Sequence, residues 1–121
     1  MKKGEITRLK AKTIVYDENL DILELDNGLK TSYCVKFGDL AIVHYDSKNK
    51  LIGVELFGVS QLHQIDRALL TNIKSAQMII NIIPREKRMF ITVKLVSVIE
   101  NKQVTASVIA TPPIETPLTC H

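Results

Sequence analysis

Short stretches in which apolar and polar residues alternate recur along this chain, as expected of β-strands that bury one face. Leu40–Asp46 and Leu51–Val59 are two such stretches, and the polar loop Ser47–Lys50 separates them. Together they predict a β-hairpin. Gly53 lies inside the second stretch, where a glycine indicates a bulge or the close approach of another element.

The same alternation predicts strands on both sides of this hairpin. They are Thr13–Tyr16, Asp21–Asp26, Leu29–Phe37, Gln77–Ile83, Met89–Ile99 and Gln103–Ala110. Asn27 and Gly28 both tolerate positive φ, which a type I′ turn requires, so the second and third of these strands are predicted to form a hairpin. Asn101 and Lys102 are predicted to turn the chain between the last two.

One segment has helical periodicity instead. Leu62, Ile65, Leu69 and Ile73 follow one another at spacings of three and four residues, which places them on one face of a helix. Ser60 precedes them as an N-cap, so the pattern predicts a single helix over 60–74. We therefore expect a β-rich α+β fold, in which antiparallel hairpins and meanders form a bent sheet or a sandwich with one helix.

The length of 121 residues fits a single domain, and three proline residues in the last eleven predict an extended or disordered tail. The apolar positions of Leu51–Val59 and Phe90–Val98 superpose without gaps, which raises the alternative of two similar half-domains. The predicted organisation is a basic arm (1–12), a β-rich domain (13–110, with halves 13–59 and 76–110 joined by the helix) and a Pro-rich tail (111–121).

Three short motifs form an ordered series: Tyr16-Asp17 with Asp21, then His44-Tyr45-Asp46, then Gly53-Val54-Glu55. This series resembles a small prokaryotic domain-of-unknown-function family with the signature Y-D-x-x-x-D, D-Y-D, turn, G-I-E. The resemblance covers residues 13–62, and His44 and Val54 depart from it. It implies a small β-rich domain, and because some members resemble the second gene of toxin–antitoxin-like pairs, it implies an antitoxin-like, partner-binding role.

The net charge of +3 is concentrated at the N-terminus, where residues 1–12 hold five basic side chains and one glutamate. With a basic turn near residue 86, these could form a phosphate-binding face. The candidate nucleic-acid-binding residues are Lys2, Lys3, Arg8, Lys10, Lys12, Arg85, Lys87 and Arg88. Nucleic-acid binding is an alternative that the composition does not favour, because aromatic residues are 5% of the chain and tryptophan is absent.

A polar cluster is a second alternative, since His44, Asp46 and Glu55 fall on neighbouring predicted strands and His63 on the helix. Such groups could serve a small hydrolase or metal enzyme. We found no nucleophile elbow, HExxH motif or phosphate-binding loop, so we assign no catalytic residue, metal ligand or cofactor. Cys34 and Cys120 are not spaced as a zinc site, and Cys34 is expected to pack as a thiol within a strand rather than form a disulfide.

Met89–Ile99 carries apolar residues on both faces, and one helix cannot cover all of the predicted sheet surface. A homo-oligomer or a protein partner is therefore expected. We expect no signal peptide and no membrane span, because no apolar run approaches about 20 residues, and a cytoplasmic location follows as the default. The leading hypothesis is a non-enzymatic protein-interaction or oligomerisation module.

Overall fold

The computed structural model describes residues 5–62, 64–86, 88–111 and 118–120, and within them the chain forms two antiparallel β-sheets. The predicted β-rich α+β fold class is confirmed. In chain order the strands are β1 (Glu5–Lys10), β2 (Thr13–Asp17), β3 (Ile22–Asp26), β4 (Tyr33–Phe37), β5 (Ala41–Tyr45), β6 (Leu51–Phe57), β7 (Ile73–Ile83), β8 (Arg88–Ile99), β9 (Lys102–Ala110) and β10 (Leu118–Cys120).

The larger sheet has the strand order β10-β4-β5-β6-β3-β2. Strands β4, β5 and β6 follow one another as neighbours, whereas β3 is joined to β4 by residues 27–32 but pairs with β6 instead. This arrangement is a Greek key. The smaller sheet has the order β1-β7-β8-β9, in which the three C-terminal strands form a meander and β1 pairs with β7.

The inner faces of the two sheets share one hydrophobic core. Leu23, Leu25, Val54 and Leu56 come from the larger sheet and are almost completely buried. The smaller sheet contributes alternate residues of its three long strands, among them Met78, Ile80, Ile91, Val93, Leu95 and Val108. Because successive residues of a strand point to opposite sides, the intervening residues of β7, β8 and β9 face away from this core.

The single helix predicted over 60–74 is wrong. The chain forms two four-residue helices, α1 (Val59–Leu62) and α2 (Arg67–Leu70), and β7 already begins at Ile73. Gln64 adopts a positive φ of 53°, and Asp66 caps α2 by accepting a hydrogen bond from the Ala68 N–H. The side chain of Asp66 thus starts a new helix where the apolar periodicity predicted a continuous one.

The hairpin predicted at Asn27 and Gly28 is also wrong. Gly28 does have a positive φ of 85°, but Asn27 does not, and β3 and β4 are not neighbours. The side chain of Asp26 accepts a hydrogen bond from the Gly28 N–H and holds the chain in a turn that leads away from β3. By contrast, Glu100 and Asn101 both have positive φ and join β8 to β9, one residue earlier than predicted.

The two ends of the chain also differ from the predicted arm and tail. Within 1–12, residues Glu5–Lys10 are strand β1 and pair with β7 in unbroken register. Within 111–121, residues Leu118–Cys120 are strand β10 and pair with β4. Both segments therefore contribute backbone to a sheet, although their alternation is too short or too charged to predict a strand.

A bulge and the close approach of another strand, the two features that a glycine at position 53 indicates, both occur there. The register between β5 and β6 shifts after His44, so that Ile52 is the extra residue of a bulge. A Cβ atom on Gly53 would lie 2.7 Å from the Leu25 carbonyl oxygen and 2.9 Å from the Asp26 Cβ. Strand β3 can approach β6 this closely only because the residue has no side chain.

Candidate functional site

Three polar side chains meet on the outer face of the larger sheet. Glu24 of β3 and Glu55 of β6 are direct cross-strand partners, and His44 of β5 lies two residues from Ile42, the residue opposite Glu55. The His44 Nε2 is 3.5 Å from the Glu55 Oε2. His44 and Glu55 were predicted to lie on neighbouring strands, and the structure brings their side chains together. Glu24 was missed because β3 was predicted to pair with β4 and not with β6.

The surroundings of Glu24 in this cluster affect its ionisation. Partial burial and the neighbouring side chain of Glu55 raise the pKa of Glu24, and the charge of His44 acts in the opposite direction. The carboxyl group of Glu24 is harder to ionise beside a second carboxyl group, because like charges disfavour the charged form.

The space beside these groups is small. The cavity lined by Glu24, Asp26, Thr31, His44 and Glu55 has a volume of about 150 Å³, whereas ligand pockets are typically about 300–1,000 Å³. Within the described part of the chain, no group of three or more His, Cys, Asp or Glu side chains is arranged to hold a metal ion.

The other members of the predicted polar cluster do not join it. Asp46 accepts hydrogen bonds from the N–H groups of Lys48 and Lys50 at 2.8 and 2.9 Å, and these bonds lower its pKa. Its carboxylate is therefore committed to closing the β5–β6 turn. His63 lies outside the described residues.

The free edge of the smaller sheet is a second candidate site. Strand β9 ends the strand order, and no described strand lies beyond it. In an antiparallel strand, successive residues direct their backbone N–H and C=O groups to opposite neighbours. On β8, the Val98 N–H donates to the Asn72 carbonyl, so the backbone groups of Val98 point towards β7. Those of Ser97 and, two residues before it, Leu95 therefore point towards β9.

This alternation determines which backbone groups of β9 are unpaired. Ser97 is opposite Val104 and Leu95 is opposite Ala106, so these residues of β9 bond to β8. The intervening residues therefore present their N–H and C=O groups on the open side of the strand, and their side chains are exposed; they are Gln103, Thr105, Ser107 and Ile109. The segment 103–110 carries no charge. The sequence does not reveal this edge, because the periodicity of a strand does not determine its neighbours in the sheet.

The outer face of the smaller sheet is a third candidate. Lys10, Gln77, Lys94 and Ser107 are consecutive partners across β1, β7, β8 and β9 and form a row of exposed side chains. Arg8 lies two residues from Lys10 on the same side of β1. Strands β7, β8 and β9 contain no aspartate or glutamate. We refer to this surface, with Arg8, Lys10 and Lys94 as its cations, as the basic face.

The structure separates the residues predicted to bind nucleic acid. Arg8 and Lys10 share the basic face, whereas the side chain of Lys12 lies beside Gly28 on the other sheet. Arg85 belongs to a 3-10 turn between β7 and β8, and Arg88 is the first residue of β8. Lys2, Lys3 and Lys87 lie outside the described residues. Lys94 was missed, because an isolated lysine in a long apolar strand gives no sequence signal of a basic patch.

The expectation of a free thiol at Cys34 is wrong. Cys34 is disulfide-bonded and buried, with 8% of its surface exposed. Its Cα partner across the β10–β4 pair is Cys120, the other cysteine of the chain. The two cysteines are 86 residues apart in the sequence. Their pairing was not predicted, because it depends on strand β10, and the prolines that precede this strand predicted an extended or disordered tail.

Comparison with known proteins identified no matching family model, no similar curated protein and no similar solved structure. None of the helices in the described ranges is long and apolar enough to cross a membrane.

Proposed function

We propose that this protein is a non-enzymatic interaction module that self-associates through strand β9. Two copies would pair their β9 strands antiparallel about a two-fold axis, which joins two four-stranded sheets into one of eight strands. The observation that carries the proposal is the row of outward-pointing backbone groups at Gln103, Thr105, Ser107 and Ile109. Such a row is a template for strand addition.

The other sheet edges are protected in ways that β9 is not. Strand β1 carries Arg8 and Lys10, strand β2 has only five residues and ends in Asp17, and β10 is only three residues long. Charged or very short edge strands resist pairing with another chain. Strand β9 has nine residues, and after Lys102 none of them is charged. Among the described sheet edges, the length and lack of charge of β9 therefore make it the one most suited to pairing with another strand.

A second copy is the occupant that fits this edge best. An uncharged segment is self-complementary when it meets itself antiparallel, because no like charges are brought together, and two-fold pairing closes the assembly at a dimer. Ile109, with 56% of its surface exposed, would gain cover from the partner strand. The resemblance to a family with partner-binding members supports the same class of function.

The test is the molar mass in solution, measured by size-exclusion chromatography with light scattering. The protein is expected to elute with twice the mass of one chain. Ser107→Pro removes an N–H that points away from β8, so the fold should be retained while the dimer is lost. Ser107→Ala keeps that N–H and serves as the matched control, which should remain a dimer.

Two results would contradict the proposal. One is a monomer at every concentration, and the other is a dimer that survives Ser107→Pro unchanged. Circular dichroism of both variants shows whether the proline variant is folded. If it is not, Thr105→Pro tests a second outward-pointing N–H of the same edge.

The disulfide at Cys34 changes our expectation of where the protein works. Disulfides persist in oxidising compartments and are rare in the cytoplasm. We therefore propose an oxidising compartment in place of the cytoplasmic location expected from the sequence. Thiol labelling of the protein in intact source cells tests this: resistance of both cysteines to alkylation supports it, and full alkylation contradicts it.

A further inference from the structure

We propose that the basic face binds single-stranded nucleic acid across the row formed by Lys10, Gln77, Lys94 and Ser107. This activity goes beyond self-association and does not require it, because the ligand would lie on the face of the sheet whereas the second copy would pair with its edge.

The geometry of the row suits an extended polyanion. Neighbouring strands are spaced by about 4.8 Å, so Lys10 on β1 and Lys94 on β8 are separated by about 10 Å. Arg8 and Lys10 are about 7 Å apart along β1. A cavity of about 500 Å³ follows the row, and the residues that line it include both lysines, Thr105 and Ser107. Cations and hydroxyl donors together are the groups that contact phosphate and sugar.

Within the part of the chain that the structure describes, no carboxylate pairs with the cations of the basic face. The one ion pair found in the described ranges joins His44 to Glu55 on the other sheet, so Arg8, Lys10 and Lys94 have no carboxylate within salt-bridge distance there. Two copies of this face could not cover each other without bringing like charges together. Charge complementarity therefore selects an anionic ligand.

The apolar side chains on the same face favour nucleic acid over an acidic peptide. Half-exposed Ile79 and exposed Ile109 lie in the row that contains Arg8, and half-exposed Phe90 lies in the row beyond it on the same face. An aromatic ring and apolar side chains on the same face as cations allow unpaired bases to pack while the phosphates are neutralised. A flat sheet face presents no element that could enter a groove, which favours a single strand over a duplex.

Fluorescence anisotropy with a labelled oligothymidylate of about 20 nucleotides tests the proposal. With three phosphate contacts, log K is expected to fall with log salt at a slope of about −2. Lys94→Gln should weaken binding about fivefold to tenfold at about 50 mM salt, which is the loss implied by one phosphate contact. Lys48→Gln makes the same change of charge in the β5–β6 turn of the other sheet and should leave affinity nearly unchanged.

Three results would overturn the proposal: no binding at low salt, equal losses in the Lys94 and Lys48 variants, or equally strong binding of polyglutamate. The last would reveal a site for acidic peptides. Because Lys94 belongs to β8, one strand inside the free edge, and the backbone groups proposed to pair are those of β9, Lys94→Gln should keep the molar mass of the unsubstituted protein. A change in mass would show that the variant acts through assembly, which also overturns the assignment of Lys94 as a phosphate ligand.

Discussion

The Tyr16 hydroxyl donates a hydrogen bond of 2.5 Å to the Asp21 carboxylate, and that carboxylate also accepts hydrogen bonds from the backbone and the hydroxyl of Ser60. Asp21 is buried, and its backbone carbonyl accepts from the N–H groups of Gly58 and Val59. One side chain thus fastens the β2–β3 turn to the start of α1. The motif residues Tyr16 and Asp21 have a structural role that explains their presence.

Asp21→Asn is expected to lower the free energy of unfolding by about 2 kcal/mol at neutral pH, because hydrogen bonds to a buried charge are lost. Burial opposes ionisation of Asp21, but the hydrogen bonds from Tyr16 and Ser60 outweigh it and lower its pKa. The stabilisation is therefore present above the ordinary aspartate pKa of about 3.9 and is lost as pH falls through the lower folded-state value.

Urea denaturation of both proteins from neutral pH into acid measures this difference. The difference in the free energy of unfolding between the two proteins should decrease in acid, and a difference that stays constant would contradict the role of the Asp21 charge. Asp39→Asn, in an exposed turn, is the matched control and should alter stability little at either pH.

Gly53→Ala is expected to destabilise the fold by about 2–3 kcal/mol, because the added methyl group would overlap the backbone of β3. Gly38→Ala provides the comparison. Gly38 has a φ of 56° and no atom near its Cβ position, so alanine there should cost about 1 kcal/mol of backbone strain alone. The urea concentration at the midpoint of denaturation measures the stability of both variants. An equal loss of stability in the two would argue against a close approach of β3 to β6.

The positions of most strands were predictable because one-sided burial imposes strict alternation, as in Leu23 and Leu25 or Val93 and Leu95, whereas β1 and β10 lacked that signal. Neighbours joined by a tight turn, such as β5 and β6, were also predictable. The pairing of β3 with β6 was not, because β4 and β5 lie between them in the sequence. The apolar spacing around Leu69 matched a long helix, yet the helical conformation is interrupted before Asp66, whose side chain caps the second of two short helices. Local patterns determined the elements here, and long-range contacts determined how they assemble.

The candidate sites were predictable only in part for the same reason. His44 and Glu55 were placed together because their strands form a tight hairpin. Glu24 and Lys94 depended on sheet register, which periodicity does not contain. The free edge of β9 depended on the identity of its neighbours.

Glu55→Gln is expected to lower the pKa of Glu24, because the variant removes the neighbouring charge that raises it. His44→Gln should move the pKa of Glu24 in the opposite direction, since a cationic His44 lowers it. Carboxyl carbon chemical shifts followed by NMR through acid pH report both changes. Glu86→Gln, on the turn of the other sheet, is the control, and an effect there as large as in Glu55→Gln would contradict the pairing.

Peptide mapping without reductant is expected to find Cys34 linked to Cys120, its Cα partner. Reduction should lower the free energy of unfolding by about 2–4 kcal/mol, because the link closes a long loop of the unfolded chain. The double variant Cys34→Ser, Cys120→Ser should be indifferent to reductant. Alkylation of both cysteines in the unreduced, folded protein would contradict the linkage.

Amide hydrogen exchange at Thr105 and Ser107 tests self-association through β9 most directly. Both N–H groups point away from β8, so in an isolated chain they should exchange as fast as exposed amides. The account predicts that they are protected at high protein concentration and lose protection on dilution, while Ala106 stays protected throughout. Rapid exchange of Thr105 and Ser107 at a concentration where the protein is dimeric would contradict it.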